Sequence, residues 1–313
     1  MLPYLFRRLG AGIVLVFLVT GITFALTYTA DIPVARNILG PQATDEQIAI
    51  LNARLGLDKP LWEQYTDWLG GLFHGDLGKS YFSGQDVTDA LTSRLPVTLS
   101  VVVVAMIITL LASTALGIAS AARRGWLDNL LQGISTISFV FPGIILGIAL
   151  VYVFAIELRW VPATGYTKLA DDPRAWFSSV ILPAIVLSIG GIAALAAQVR
   201  GSLIDELDRE YVRTLRARGV SERSLLLKHA LRNAAGPALT TFSLQFISIF
   251  GAALFVEKIF ALPGYGSYAF NATLQGDLPA LLGVTVFGVL LVVIVNLLVD
   301  LAQGWLNPKA RLA

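Results

Sequence analysis

Six stretches of this chain stay apolar for long enough to cross a hydrocarbon core, and that leaves little choice of secondary structure. At about 1.5 Å per residue, about twenty residues span a bilayer interior of about 30 Å. The stretches are 10–29, 97–121, 130–155, 180–199, 238–256 and 281–300. A backbone in lipid must satisfy its own N–H and C=O groups, and a continuous apolar run of this length does so as a helix. An all-α membrane protein with six transmembrane helices is expected. The composition agrees: 56% of residues are hydrophobic and 14% charged, against about a quarter charged in a typical soluble domain.

Orientation follows from the basic residues. Arg7 and Arg8, Arg123 and Arg124, the segment from Arg200 to Arg232, and Lys309 with Arg311 all fall on one side of the six spans. The opposite connections carry Arg159, Lys168 and Arg174, offset by Asp171 and Asp172, and Lys258. Both termini are therefore expected in the cytoplasm. Arg7 and Arg8 before an apolar run imitate a signal peptide, but no small-residue cleavage site follows, so a retained first helix is expected.

The segment 199–237 packs eight Lys/Arg residues between two apolar spans. Leu203, Leu207, Tyr211 and Leu215 recur every fourth position, which predicts one face of an amphipathic helix, with Glu206, Arg213 and Arg216 on the others. Gly219 is placed for a left-handed exit, and Ser221 for the N-cap of a second helix through Leu225 and Leu231. A helix, a glycine turn and a helix make a rigid knob suited to docking, although a basic loop that merely fixes topology has the same composition.

The connection 30–95 is too long for a simple turn and carries its own helix signals. Thr44 with Gln47 reads as a capping box and Gly56 as its C-terminal stop. Pro60 suits a first helical position, after which Leu61, Tyr65, Trp68, Leu69 and Leu72 share a face. Helices of this kind are expected to lie flat on the outer surface, with Trp62 and Trp68 at headgroup level.

The chain carries no Gly-rich P-loop ending in Gly-Lys-Ser/Thr, no His-Glu-x-x-His helix and no Gly-x-Ser-x-Gly elbow. It has no cysteine and two histidines, His74 and His229, both expected on the surface. Enzymatic activity, bound metal and bound cofactor are not expected. A net charge of +2 gives no reason to expect a nucleic-acid partner. Pro142 and Gly143 interrupt the third span as hinge candidates. Gln245 and Asn296 are polar side chains inside spans and hence pathway candidates, with interhelical hydrogen bonding as the plainer role.

Several runs of residues resemble one family. Glu210-Tyr211-Val212-Arg213-Thr214-Leu215-Arg216-Ala217-Arg218-Gly219, continued by Leu226-Leu227-Lys228-His229-Ala230-Leu231-Arg232-Asn233-Ala234, is similar to the coupling loop of ABC importer permeases of the dipeptide/oligopeptide branch. Leu55-Gly56-Leu57-Asp58-Lys59-Pro60-Leu61, Gly75-Asp76-Leu77-Gly78-Lys79-Ser80, Trp160-Val161-Pro162-Ala163-Thr164-Gly165-Tyr166 and Glu257-Lys258-Ile259-Phe260 with Pro263-Gly264 and Asp277-Leu278-Pro279 resemble it as well. Leu215 departs from the usual Ala, and Gln198 from the usual Arg.

The resemblance implies the type I ABC importer permease fold, with a first span in 1–29, a helical external cap in 30–96, a five-span core in 97–304 carrying coupling helices at about 201–236, and a tail in 305–313. It implies a bacterial inner-membrane subunit forming half of a pathway for dipeptides or short oligopeptides. Partners would be a second related permease chain, two ATPase domains that bind ATP and Mg, and an external substrate-binding protein. Leu207, Tyr211, Arg213, Leu215, Arg216, Arg218, Gly219 and Ser221 are the implied docking residues for the ATPase. Nickel or another small solute is the alternative cargo, and a stand-alone carrier or channel the alternative class.

Overall fold

The computed structural model describes residues 2–30, 32–122, 133 and 143–306. Among them every regular element is a helix, apart from one isolated bridge between Lys79 and Asp86. In chain order these are α1 (Leu2–Thr29), α2 (Val34–Leu39), α3 (Asp45–Leu55), α4 (Leu61–Phe73), α5 (Val87–Ala122), α6 (Gly143–Leu150), α7 (Pro173–Leu207), α8 (Glu210–Ala217), α9 (Glu222–Ile259), α10 (Tyr265–Gln275) and α11 (Leu278–Leu306). Helix α6 runs on into a π-helical stretch, Val151–Glu157, and α9 contains another, Leu225–Ala230.

Five helices, α1, α5, α7, α9 and α11, are long and apolar enough to cross a membrane. They hold the first, second, fourth, fifth and sixth expected spans. The third appears as the shorter apolar helix Ile145–Glu157, and residues 130–132 and 134–142 of its expected range, Pro142 included, lie outside the described residues. Gly143 opens α6.

Two helices start well before their apolar runs, and the caps explain why. Asp86 Oδ1 accepts from Thr88 N at 2.8 Å, so α5 begins at Val87 and carries Pro96 inside it. Asp172 Oδ1 accepts from Arg174 N at 2.8 Å and Ala175 N at 3.1 Å, with Pro173 at the first helical position, so α7 begins seven residues ahead of 180. In α3 the Thr44–Gln47 capping box has both arms, and Gly56 closes the helix in the left-handed region. Pro60 is the N-cap of α4, one position ahead of its expected place.

The chain divides into two compact units, residues 1–97 with 263–293 and residues 98–262 with 294–313. In the first, Phe24, Leu278 and Leu282 are buried together, with Tyr65, Trp68 and Tyr81 packed on them. Helices α1 and α11 run antiparallel, with Thr23 and Thr285 hydroxyls 3.4 Å apart and Gly12 against Val293. The Asp277 carboxylate, 2% exposed, accepts from Ser80 Oγ at 2.5 Å and from Tyr81 N at 3.1 Å. It thereby ties the 75–83 loop to the start of α11. Burial, and secondarily the Asp277 charge, pushes the Tyr81 hydroxyl up to about 12.

In the second unit α7 and α9 pack antiparallel along their length, and α6 rests on both where Gly147 meets Val186 and Ile259. Helix α5 comes against α7 at Gly117, where a Cβ would sit 2.7 Å from Val199 Cγ1 and 3.0 Å from the Ala196 carbonyl. Gly117→Ala is therefore expected to cost about 1–3 kcal/mol, the usual range for overpacking. A thermal ramp followed by size-exclusion chromatography checks this; an unchanged melting temperature refutes it.

Candidate functional site

The charged segment between the fourth and fifth spans is not one helix followed by another. Helix α7 ends at Leu207, Arg209 takes an extended backbone (φ −71, ψ 151), and α8 starts afresh at Glu210. The four-residue period of Leu203, Leu207, Tyr211 and Leu215 thus runs across a break. What anchors α8 is Val212, fully buried, which the period had passed over. The ends of α7 and α9 beside it share an apolar cluster of Leu195, Val199, Leu203, Ala230 and Ala234, with Ala121 from α5 and Leu207 and Leu226 packed against it.

A polar pin crosses the break. Glu206, expected on a solvated face, is buried instead, its side chain 7% exposed. Its carboxylate accepts from the Tyr211 hydroxyl at 2.9 Å and from Arg209 Nε at 2.9 Å. Asn233, in α9, donates from Nδ2 to the Tyr211 hydroxyl at 3.2 Å. Burial, reinforced by the Glu206 hydrogen bond against the opposing one from Asn233, holds the Tyr211 hydroxyl above its ordinary pKa. It therefore stays protonated and donating through the physiological range. The signal was present as a carboxylate three residues before an Arg and five before a Tyr, but helical periodicity alone sends Glu206 outward.

The turn after α8 is built as expected and then clipped. Gly219 sits at φ +79, and its N–H bonds the Arg216 carbonyl at 2.9 Å. A residue with a Cβ is strained there. Ser221 occupies the N-cap position, though its side chain makes no capping bond. Arg216 spans the turn instead, donating from Nε to Glu222 Oε1 at 2.6 Å and from Nη2 to Oε2 at 3.2 Å. Of the expected docking residues, Arg213, Arg218 and Gly219 are exposed, Leu207, Tyr211 and Leu215 half-buried, and Arg216 is committed to Glu222. Among the described residues nothing pairs with Arg213 or Arg218, and Arg223, Lys228 and Arg232 are exposed on the same stretch.

The pathway candidates lie elsewhere in the same unit. A Cβ on Gly191 would meet Gln245 Oε1 at 3.2 Å and Thr109 Cγ2 at 3.1 Å, so α5, α7 and α9 converge on a small polar spot. Thr109 Oγ1 is buried there without a hydrogen-bond partner among the described residues. Asn296 is half-buried on α11 and makes no hydrogen bond among the described residues.

Tyr211→Phe removes one donor to a buried carboxylate and one acceptor from Asn233. It is expected to loosen α8 by about 1.5–3 kcal/mol, the usual worth of a hydrogen bond to a charged group, with the chain still inserted. Limited proteolysis within 208–220 reads this, and wild-type protection would refute it.

Residues 113–312 match the family described as binding-protein-dependent transport system inner membrane component, and residues 1–102 match its N-terminal region. A probable peptide ABC transporter permease protein of Sinorhizobium fredii is 36% identical over 98% of this chain and 99% of its own. A putative peptide transport system permease protein of Brucella abortus is 35% identical over 99% of each. A glutathione transport system permease protein of Escherichia coli K12 is likewise 35% identical over 99% of each.

Proposed function

The chain belongs to the binding-protein-dependent transport system inner membrane components, and on that premise we infer that it is one permease subunit of an ABC importer for short peptides. The subunit is a multi-pass inner-membrane protein that works with ATPase and binding-protein partners. A second, related permease chain completes the pathway, and both termini face the cytoplasm. ATP and Mg reside on the ATPase subunits, where hydrolysis takes place.

The observation that carries this reading is α8. It is a short helix rooted by Val212, pinned by Tyr211 to Glu206 and Asn233, and left with Arg213 and Arg218 uncommitted on its outer side. A knob held from behind and charged in front transmits a push. Closure of the ATPase pair moves α8, the pin carries the motion into α7 and α9, and the spans alternate the access of the pathway. Gln245, which like Thr109 faces Gly191, is a polar side chain along that pathway, and Asn296 is a second.

The test is uptake of labelled dipeptide by membranes containing the whole system, with glutathione and nickel ion as competitors. Peptide uptake that needs ATP and co-purifying ATPase subunits supports the reading. Uptake blocked only by nickel ion moves the cargo to a metal, and uptake without ATPase subunits moves the chain to the class of stand-alone carriers.

A further inference from the structure

Helix α4 lies alongside the first span rather than flat above it. The Phe73 and Phe17 rings are 6.1 Å apart, and the Tyr65 and Phe24 rings 5.3 Å apart. The Tyr65 hydroxyl lies 3.0 Å from Thr20 Oγ1 and donates to the Phe17 carbonyl at 3.2 Å. Moving eight residues forward on α4 thus moves seven residues backward on α1, so the two helices run antiparallel over that length. A helix at the surface would touch a span at one height only.

The height is set by α11. Phe24 packs against Leu278 and Leu282, the first turns of the last span, and Gly12 against Val293 well inside it. Phe17 is seven residues inward of Phe24, about 10 Å at the rise of a helix, and Phe73 lies at that depth. Phe73 is nonetheless 74% exposed, as Trp62 is at 67% on the opposite end of α4. The chain then turns at His74–Gly75–Asp76 and climbs back. Trp68 Nε1 donates to the Leu77 carbonyl at 3.3 Å, and the Asp277 clamp receives Ser80 and Tyr81 at the start of α11.

We propose that α4 and residues 74–80 form a re-entrant hairpin in the leaflet on the side of the 30–86 connection. Lipid acyl chains cover the Phe73 flank, and the His74–Asp76 tip stands in an aqueous recess. Lipid is the occupant because the exposed flank continues the surface of α1, where Val14, Leu18 and Ile22 are exposed too, in a span of twenty apolar residues. Trp62 at the upper end matches headgroup depth. Water is required at the tip because exposed polar backbone at membrane depth is tolerated only against protein or a wet cavity. An open cavity of about 590 Å³ is present there, lined by His74, Asp76, Lys79, Asp86 and Asp89. This reading concerns the membrane placement of the chain and is independent of its cargo.

The absence of cysteine from the chain makes the test clean. Phe73→Cys, Trp62→Cys and Asp76→Cys each provide a single thiol for a nitroxide label in the full chain, in membranes with its partners. Collision with molecular oxygen is expected to dominate at 73, and collision with a water-soluble nickel chelate at 76, with 62 between. A charged thiosulfonate reagent should modify the thiol at 76 about a hundredfold faster than at 73, since charge is excluded from hydrocarbon. Leu69→Cys, one turn up the same helix, should read an intermediate depth and serves if the 73 variant is poorly produced. Equal nickel access at 62 and 73 overturns the proposal in favour of a helix lying flat. Protection of 73 from both probes overturns it in favour of a protein partner, and an unreactive thiol at 76 overturns the wet recess.

Discussion

Arg213→Glu is expected to reduce peptide uptake by at least about tenfold while leaving the amount of chain in the membrane unchanged. Arg213 is exposed on α8 and pairs with nothing among the described residues, so its replacement costs the chain itself little. At an interface, a like-charge encounter costs several kcal/mol, and about 1.4 kcal/mol is already tenfold. Arg218→Glu should behave the same way and add to it. Arg216→Glu should be equally inactive for a different reason. It removes both hydrogen bonds to Glu222 and sets two carboxylates across the turn at Gly219. The two causes separate in the exchange Arg216→Glu with Glu222→Arg, which restores the clip and should restore most of the uptake. Measuring ATPase activity and uptake side by side decides the matter. Wild-type uptake in Arg213→Glu removes α8 as the docking knob, and a dead exchange variant removes the clip.

Asp277→Ala should destabilise the first unit by about 3 kcal/mol or more, because it strands the Ser80 hydroxyl and the Tyr81 N–H in a buried place. Asp277→Asn keeps an acceptor for Tyr81 N and turns its amide toward Ser80 Oγ, and should cost much less. The pH dependence separates them further. Burial raises the Asp277 pKa above its ordinary value of 3.8, against the opposing hydrogen bonds from Ser80, Tyr81, Ala280 and Phe82. The folded unit therefore binds this proton more tightly than the unfolded chain does. That contribution is fully present below pH 3.8 and fades as pH rises through the raised value. The wild type should gain stability relative to Asp277→Asn on acidification through that window. A difference independent of pH would remove the carboxylate from the account. Protease resistance of the 75–83 loop is the readout.

Much of this architecture could be read from residue order because membrane spans and caps are local properties. Of the six apolar runs expected to span, five lie in helices long enough to cross a membrane among the described residues, and Thr44 with Gln47, Gly56 and Gly219 did in place what their chemistry requires. Hydropathy marks the apolar parts of α5 and α7 and not their first turns, which Asp86 and the Asp172-Pro173 pair set. Helix α10 was not foreseen; its eleven residues are too short for a span and too mixed for a clear period. In the candidate site, the exposed arginines followed from composition. The pin did not, because Glu206 is buried only through partners that arrive from beyond a helix break and from a separate span. The depth of α4 was equally hidden, since an amphipathic pattern records which face is apolar and not whether protein or lipid lies on either side of it.

The break at Asp208 and Arg209 has a mechanical consequence. Continuous helix between α7 and α8 would make a shaft, and any twist applied to α8 would wind the fourth span about its own axis. With two residues out of helical register, the connection is a joint: a twist of α8 is taken up in the backbone dihedrals there, while the buried Val212, the Arg209–Glu206 ion pair and the Tyr211 hydroxyl between Glu206 and Asn233 still hold α8 to its neighbours. For the docking role proposed for α8, such a joint would pass a pull on the fourth and fifth spans more readily than a twist of either one.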